Sequence, residues 1–460
     1  MERPLDYLIK YNQKHNWLIG DHSQQVQQIA SELYLELSKN TTPPKIILAE
    51  REPVEFLAKF LAASTANCAI FLCNPDWGSA EFQQVFDLVK PDIVWGIENW
   101  SAKEKTSKNT LSTAIPQTIM IPTGGSSGKI KFAIHTWSTL MASVRGFSEY
   151  FQIEAVNSCC VLPLYHVSGL MQFIRSLTTG GKLLILPFPE IVSGQIPAID
   201  PREYFISLVP TQLQRLLEKP ELTQWLIQFL TVLLGGAPAW EELLEKARFH
   251  QIRLAPTYGM TETAAQIATL KPDDFLQGKL GCGQILPHVK IDIRDETGKI
   301  LNFNQLGNIT IQAQSLALGY YPHLWSNQDY FLVDDIGLLD EKNYLYIIGR
   351  SSEKIITGGE NVYPLEIESA IKKNNLVMDI CIIGVPDKQW GQAITAIYVP
   401  KIPHISLLEI ETYLKSKLSK FKIPKYWIPV KNIPRNSQGK INQLRLKEIA
   451  QEYLSNHTLN

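Results

Sequence analysis

Short apolar runs rich in β-branched residues alternate with segments of helical spacing through the first half of the chain. That alternation limits the possible folds more than any other feature. The runs are "KIILA" (45–49), "AIFLC" (69–73), "DIVWG" (92–96), "CCVLPL" (159–164), "KLLILP" (182–187), "FISLVP" (205–210) and "TVLLGG" (231–236). Between them, segments 54–64, 79–90, 138–150 and 240–250 repeat apolar residues every three or four positions, as a helix with one buried face does. A strand apolar on both faces must be covered on both faces, and strands separated by helices pair in parallel. The expected class is α/β, with layered sheets and helices packed against them.

From about residue 281 the texture changes. "VKIDIRDETGKIL" and "GNITIQA" alternate apolar with polar residues, and "DETGK" reads as a hairpin turn. A small β-rich subdomain is therefore expected over about 281–349, closing a large N-terminal domain of residues 1–351. Residues 352–460 read as a small, separate α+β domain on a very short linker.

The 460 residues exceed what one ordinary domain holds, which agrees with this division. A net charge of −1 provides no field to gather nucleic acid or an acidic membrane. Six cysteines, Cys68, Cys73, Cys159, Cys160, Cys282 and Cys381, show no CxxC spacing and read as inert thiols in a reducing compartment. The polar start "MERPLDYLIKYNQKHNW" lacks the apolar run of a signal peptide, and no uninterrupted apolar stretch of about 20 residues occurs. The expectation is a cytoplasmic protein with no nucleic-acid partner and no membrane insertion.

"TGGSSGKIK" (123–131) crowds glycine, serine and lysine just after the apolar "TIMI". Small residues let backbone N–H groups approach an anion, hydroxyls donate to it, and lysine neutralises it. A Walker loop is excluded: only three residues separate Gly124 from Gly128, and Ile130 stands where the magnesium-binding hydroxyl belongs. Taken alone, the stretch is as readily an ordinary flexible turn.

Four further motifs follow in order: "GGAPAW" (235–240), "APTYGMTET" (255–263), "DIGLLDEKNYLYIIGRSSEKIITGGENVYPLEIE" (335–368) and "PRNSQGK" (434–440). Together with the first they resemble the adenylate-forming superfamily of acyl-CoA ligases, adenylation domains and luciferases, over nearly the whole chain. The resemblance implies that ATP, Mg2+ and CoA are used. It makes Thr123, Gly124, Gly125, Ser126, Ser127, Gly128 and Lys131 the phosphate loop, with Gly124, Ser126, Ser127 and Ile130 departing from the usual pattern. It sets Gly235, Gly236 and Ala237 against one face of adenine and Tyr258 against the other, with Thr261 on phosphate and Glu262 on magnesium. Asp335 and Arg350 would hold the ribose; because the usual TGD is "VDD" here, Asp334 competes for that role, and Asp335 fits the spacing better. Lys440 would be the catalytic cation between carboxylate and α-phosphate. Ser352 falls at the hinge of a mobile C-terminal domain, and Gly358, Gly359 and Trp390 fall in its CoA-facing half.

The acid is read from "LPLYHVSGLMQFIR" (162–175). His166 matches a pocket-wall position, and Arg175 lies nine residues on, in an otherwise apolar helical segment. A buried arginine needs an anion, and a dicarboxylic acid has a second carboxylate to hold. With "SLVPTQLQRLL" (207–217), this stretch resembles the 2-succinylbenzoate–CoA ligases of menaquinone and phylloquinone biosynthesis, implying a small aromatic dicarboxylate substrate. Other readings stay open: a CoA ligase for another aryl or medium-chain acid, an enzyme loading a carrier protein, a non-catalytic nucleotide-binding homologue, and an Arg175 that reaches the surface or pairs with a structural carboxylate. A monomer and a homodimer are equally compatible.

Overall fold

The structure is a computed structural model and describes residues 2–14, 16–20, 22–97, 116–124, 130–326, 329–357, 360–374, 376–387, 390–402, 406–435 and 441–457. Two seven-stranded sheets form its centre. In the first, Lys45–Leu48, Ala69–Leu72, Ile93–Trp95 and Thr118–Gly124 run parallel; Ile130–Thr136 then turns back antiparallel on Thr118–Gly124. In the second, Leu183–Ile185, Asn157–Cys160, Tyr204–Leu208, Thr231–Leu234 and Leu254–Met260 are parallel, and Ala265–Thr269 closes antiparallel beside the last.

Period two explains why the strands are apolar throughout. Ile46, Leu48, Ile70, Leu72, Ile119 and Ile121 enter one core with the helices Pro53–Thr65, Trp137–Phe151 and Val167–Thr179. Ile47, Phe71, Met120, Phe132 and Ile134 enter another, against the helix Ser79–Val89. The first core also takes in Cys160 and Leu183, so its helices lie between the two sheets. Leu208, Val232 and Leu254 pack on the far side of the second sheet with Leu213, Leu226 and Leu243 of three further helices.

A four-stranded antiparallel sheet follows: Val289–Arg294, Gly307–Ala313, Phe331–Leu339 and Leu345–Arg350. The C-terminal part carries its own five-stranded sheet, covered by Pro364–Lys373 and Leu407–Lys417 on one face and by Gln443–His457 on the other. The expected α/β class, the β-rich insert and a small α+β C-terminal part are therefore all present.

Two local expectations are corrected. "DETGK" makes a turn, yet only the Arg294–Ile300 bridge forms across it. The ladder partner of Val289–Arg294 is Gly307–Ala313, whose Ile309 and Ile311 enter one core with Ile291 and Ile293, and Leu301 packs against it. The strand expected over 159–164 is Asn157–Cys160, because Pro163 lacks the N–H that a central strand must donate. All six cysteines are free, and five are buried. Among the described residues no helix is long and apolar enough to cross a membrane.

Candidate active site

Of the predicted residues, Tyr258 lies on the Leu254–Met260 strand, and Thr261 and Glu262 lie on the 3-10 turn Thr261–Thr263 that follows it. Leu234 pairs with Pro256, so the Gly235–Ala237 loop leaves the sheet beside Thr257 and Tyr258. Gly235 is required there, since a Cβ at this position would lie 2.6 Å from Thr257 Oγ1. Gly236 has φ +80°, in the left-handed region.

Tyr258 donates its hydroxyl to Asp335 Oδ2 at 2.6 Å, and Arg350 Nε donates to Asp335 Oδ1 at 3.3 Å. Asp335 and Arg350 are cross-strand partners in the four-stranded sheet, so the ladder register itself presents the pair. Burial, and then the Asp335 charge, push the Tyr258 phenol well above its usual range, so it stays a donor at any working pH. Asp335, not Asp334, is the aspartate that meets Tyr258 and Arg350. Asp334 instead holds Ser352: its Oδ1 accepts from the Ser352 N–H at 2.9 Å and its Oδ2 accepts from the hydroxyl.

Glu262 is 8% exposed, and its carboxylate accepts from Tyr320. Lys131 Nζ lies 5.6 Å from the centroid of the same tyrosine ring. On the hairpin, Thr123 faces Lys131 and Gly124 faces Ile130, so the base of the expected phosphate loop is an ordered ladder. The Lys131 strand also carries His135, whose Nε2 donates to the Thr261 carbonyl at 2.8 Å. Full burial pulls His135 down to about 4, which keeps it neutral with its proton on Nε2. Directly after Glu262, Ala264 and Ala265 both have positive φ, at +52° and +87°. Non-glycine residues pay for that conformation, and such strain collects at functional turns.

Arg175 lies on the helix Val167–Thr179, 3% exposed. Its guanidinium sits 4.1 Å from the Phe147 ring centroid and donates to Gln266 Oε1 at 2.7 Å. Gln266 pairs in register with Gly259, which places Arg175 one strand away from Tyr258. Arg175 Nε and Gln266 Nε2 are both buried without a hydrogen-bond partner among the described residues. Burial pulls Arg175 down to about 9, and no carboxylate offsets this, so it is a cation at neutral pH without a protein counter-ion among the described residues. Among the described residues Arg175 therefore neither reaches the surface nor pairs with a carboxylate. His166 caps the same helix beside Tyr165, with ring centroids 4.6 Å apart.

Trp390 is 43% exposed, and its N–H donates to Asp387 at 3.0 Å. Gly391 pairs with Thr357, which brings Trp390 beside the residue preceding the predicted glycine pair. Gly125, Ser126, Ser127, Gly128, Gly358, Gly359 and Lys440 lie outside the described residues. The sequence reading did not single out His135, Tyr320 or Gln266 as part of the site. In sequence, each is one more residue of a short strand, and only the fold shows its partner.

The profile of AMP-binding enzymes matches residues 117–321, and that of their C-terminal domain matches residues 366–440. The chain belongs to this family of adenylate-forming enzymes. A curated relative from Enterococcus faecalis, 2-succinylbenzoate–CoA ligase, is 33% identical over 328 residues, covering 70% of this chain and 67% of its own. The structure of o-succinylbenzoate CoA synthetase from Bacillus subtilis in complex with its acyl-adenylate intermediate superposes with a TM-score of 0.78 at 25% identity, covering 96% and 97% of the two chains. The same enzyme in complex with ATP and magnesium ion gives the same score and identity, covering 96% and 99%.

Proposed function

We propose that this chain is an ATP- and magnesium-dependent acid–thiol ligase that converts 2-succinylbenzoate and CoA to 2-succinylbenzoyl-CoA, in menaquinone or phylloquinone biosynthesis. The observation that carries the choice of acid is Arg175, a buried cation with no carboxylate among the described residues, next to an orphaned amide donor on Gln266. Two adjacent donors lacking an acceptor suit the carboxylate of the substrate that does not react. The relatives named for this acid support the same reading.

In the first step an oxygen of the succinyl carboxylate attacks the α-phosphorus of ATP, and pyrophosphate leaves. The acid is already ionised at neutral pH, so no general base is required, and His166 shapes the pocket. Tyr258 and the Gly235–Ala237 loop face the adenine, Asp335 and Arg350 take the ribose hydroxyls, and Thr123 to Gly128, Lys131 and Thr261 take the phosphates. The residues present fit magnesium: Glu262 is a buried oxygen donor, and Mg2+ is commonly held by one or two carboxylates plus substrate phosphates. Bound there, the ion would neutralise charge on the phosphate oxygens. Lys440 is the cation that stabilises the meeting of two anions.

In the second step the CoA thiolate attacks the acyl carbon and AMP leaves. Residues 1–351 and 352–460 act as two domains, and rotation at Ser352 exchanges Lys440 for the face carrying Gly358, Gly359 and Trp390. Each chain has a full residue set, so a monomer or homodimer suffices, and the use of ATP and CoA supports a cytoplasmic place of work.

The test is pyrophosphate release from ATP and 2-succinylbenzoate before CoA is added, followed by thioester formation with a panel including benzoate and octanoate. Acid-dependent release with 2-succinylbenzoate preferred is expected. No release, or a preference for octanoate, overturns the assignment.

A further inference from the structure

Asp334 stands where the resembled ribose motif has no carboxylate. Neighbouring residues of a strand face opposite ways, so Asp335 meets Tyr258 and Arg350 while Asp334 points to the segment leaving the sheet. That segment is a closed turn: Glu353 N–H donates to Arg350 at 3.3 Å, Lys354 N–H to Ser351 at 3.2 Å, and Ser351 N–H to the Asp334 carbonyl at 2.7 Å. The Asp334 carboxylate then takes both the N–H and the hydroxyl of Ser352. The N–H lies before the N–Cα bond of Ser352, and the hydroxyl branches off after it. Holding both on one rigid carboxylate fixes φ of Ser352 and leaves reorientation to ψ and to the turn beyond. Two bonds on one carboxylate also fix its geometry more than either bond alone.

We propose that Asp334 is a hinge latch, a positioning residue that pins Ser352 and biases the orientation of the C-terminal part. Its effect on the two half-reactions rests on the function proposed above. The latch holds the orientation seen here, so releasing it favours the other orientation and the half-reaction served there. The Asp334 side chain hydrogen-bonds Ser352 and no residue assigned to substrate, while its charge also reaches Arg350, so Asp334→Asn, which removes the charge and keeps an acceptor, is the control for any change in the KM for ATP.

The test uses the full chain with Asp334→Ala, Asp334→Asn, Ser352→Ala and the double variant Asp334→Ala/Ser352→Ala. Hydrogen exchange at amides 351–354 is expected to quicken by about tenfold in Asp334→Ala and much less in Asp334→Asn, which keeps an acceptor oxygen. The ratio of acid-dependent pyrophosphate release to thioester formation from preformed acyl-adenylate is expected to shift by about threefold or more. Asp334→Ala and Ser352→Ala should shift it in the same direction, and the double variant should shift it no further than Asp334→Ala. Unchanged exchange, or both half-reactions falling together with the melting temperature, overturns the latch. If the wild type performs neither half-reaction with 2-succinylbenzoate, the functional assignment fails, and the exchange measurement still decides the latch.

Discussion

At the scale of single residues, Arg175 carries the most information about the substrate. Its place in "MQFIR" makes an amphipathic helix with a cation on the apolar face, and this oddity was visible before any fold was known. The pairing with Gln266, 91 positions away, was not, because "AAQIATL" looks like any strand. Arg175→Met keeps a long unbranched side chain beside Phe147 and removes the charge that lies over its ring. It should lower kcat/KM for 2-succinylbenzoate by about a hundredfold, as the loss of a buried charge partner does. Turnover of benzoate, which has no second carboxylate, should stay unchanged in the same assay. Equal loss on both acids would mean that Arg175 supports the fold and not the substrate. Asp334 shows the reverse case: "VDD" left two candidates for one role, and strand alternation gives each aspartate its own hydrogen-bond partners.

At the scale of elements, the strands were legible because both of their faces are apolar, while their ends were set by proline and by neighbours. The Leu254–Met260 strand was harder to see, since "LAPTYGM" interrupts its apolar run to present Tyr258. Its fit against the Gly235 loop is tight enough to test. In Gly235→Ala the new Cβ would lie 2.6 Å from Thr257 Oγ1 but 4.0 Å from Thr257 Cβ. The single variant should therefore raise the KM for ATP by pushing the adenine loop off its strand. Adding Thr257→Ala, which removes only the offending oxygen and methyl, should restore it. Failure of the second substitution to rescue the first would show that Gly235 matters for some reason other than this contact.

At the scale of the whole molecule, buried histidines tie stability to pH. His135 joins the phosphate hairpin to the Thr261 turn and titrates near 4 when folded, against 6.5 when free. Below pH 6.5 the unfolded chain takes up a proton that folded His135 refuses, so stability is complete above that value and is lost as pH falls towards 4. The loss attributable to this one group is on the order of 3 kcal/mol. His288 is lowered to about 4 by burial and by the charges of Arg175 and Arg145, and it acts in the same direction. The half-buried Glu368 in the C-terminal part is raised to about 7, chiefly by desolvation, and opposes them, losing stability as pH rises from 4.5. His135→Gln keeps an N–H for the Thr261 carbonyl and should flatten the fall in melting temperature between pH 6.5 and 4.5. An unchanged slope would place the acid sensitivity elsewhere.

By itself the sequence determined the fold class, the order of the sheets along the chain and the nucleotide chemistry. These follow from local periodicity and from motifs whose spacing survives in one dimension. Only the tertiary structure decided that Arg175 has no carboxylate partner among the described residues, that Tyr258 and Arg350 share Asp335, and that Asp334 holds Ser352. Those facts depend on which side chains meet across 15 to 91 residues of chain. Burial then sets the cost of leaving a charge or a donor unpaired, and no window of sequence contains that quantity.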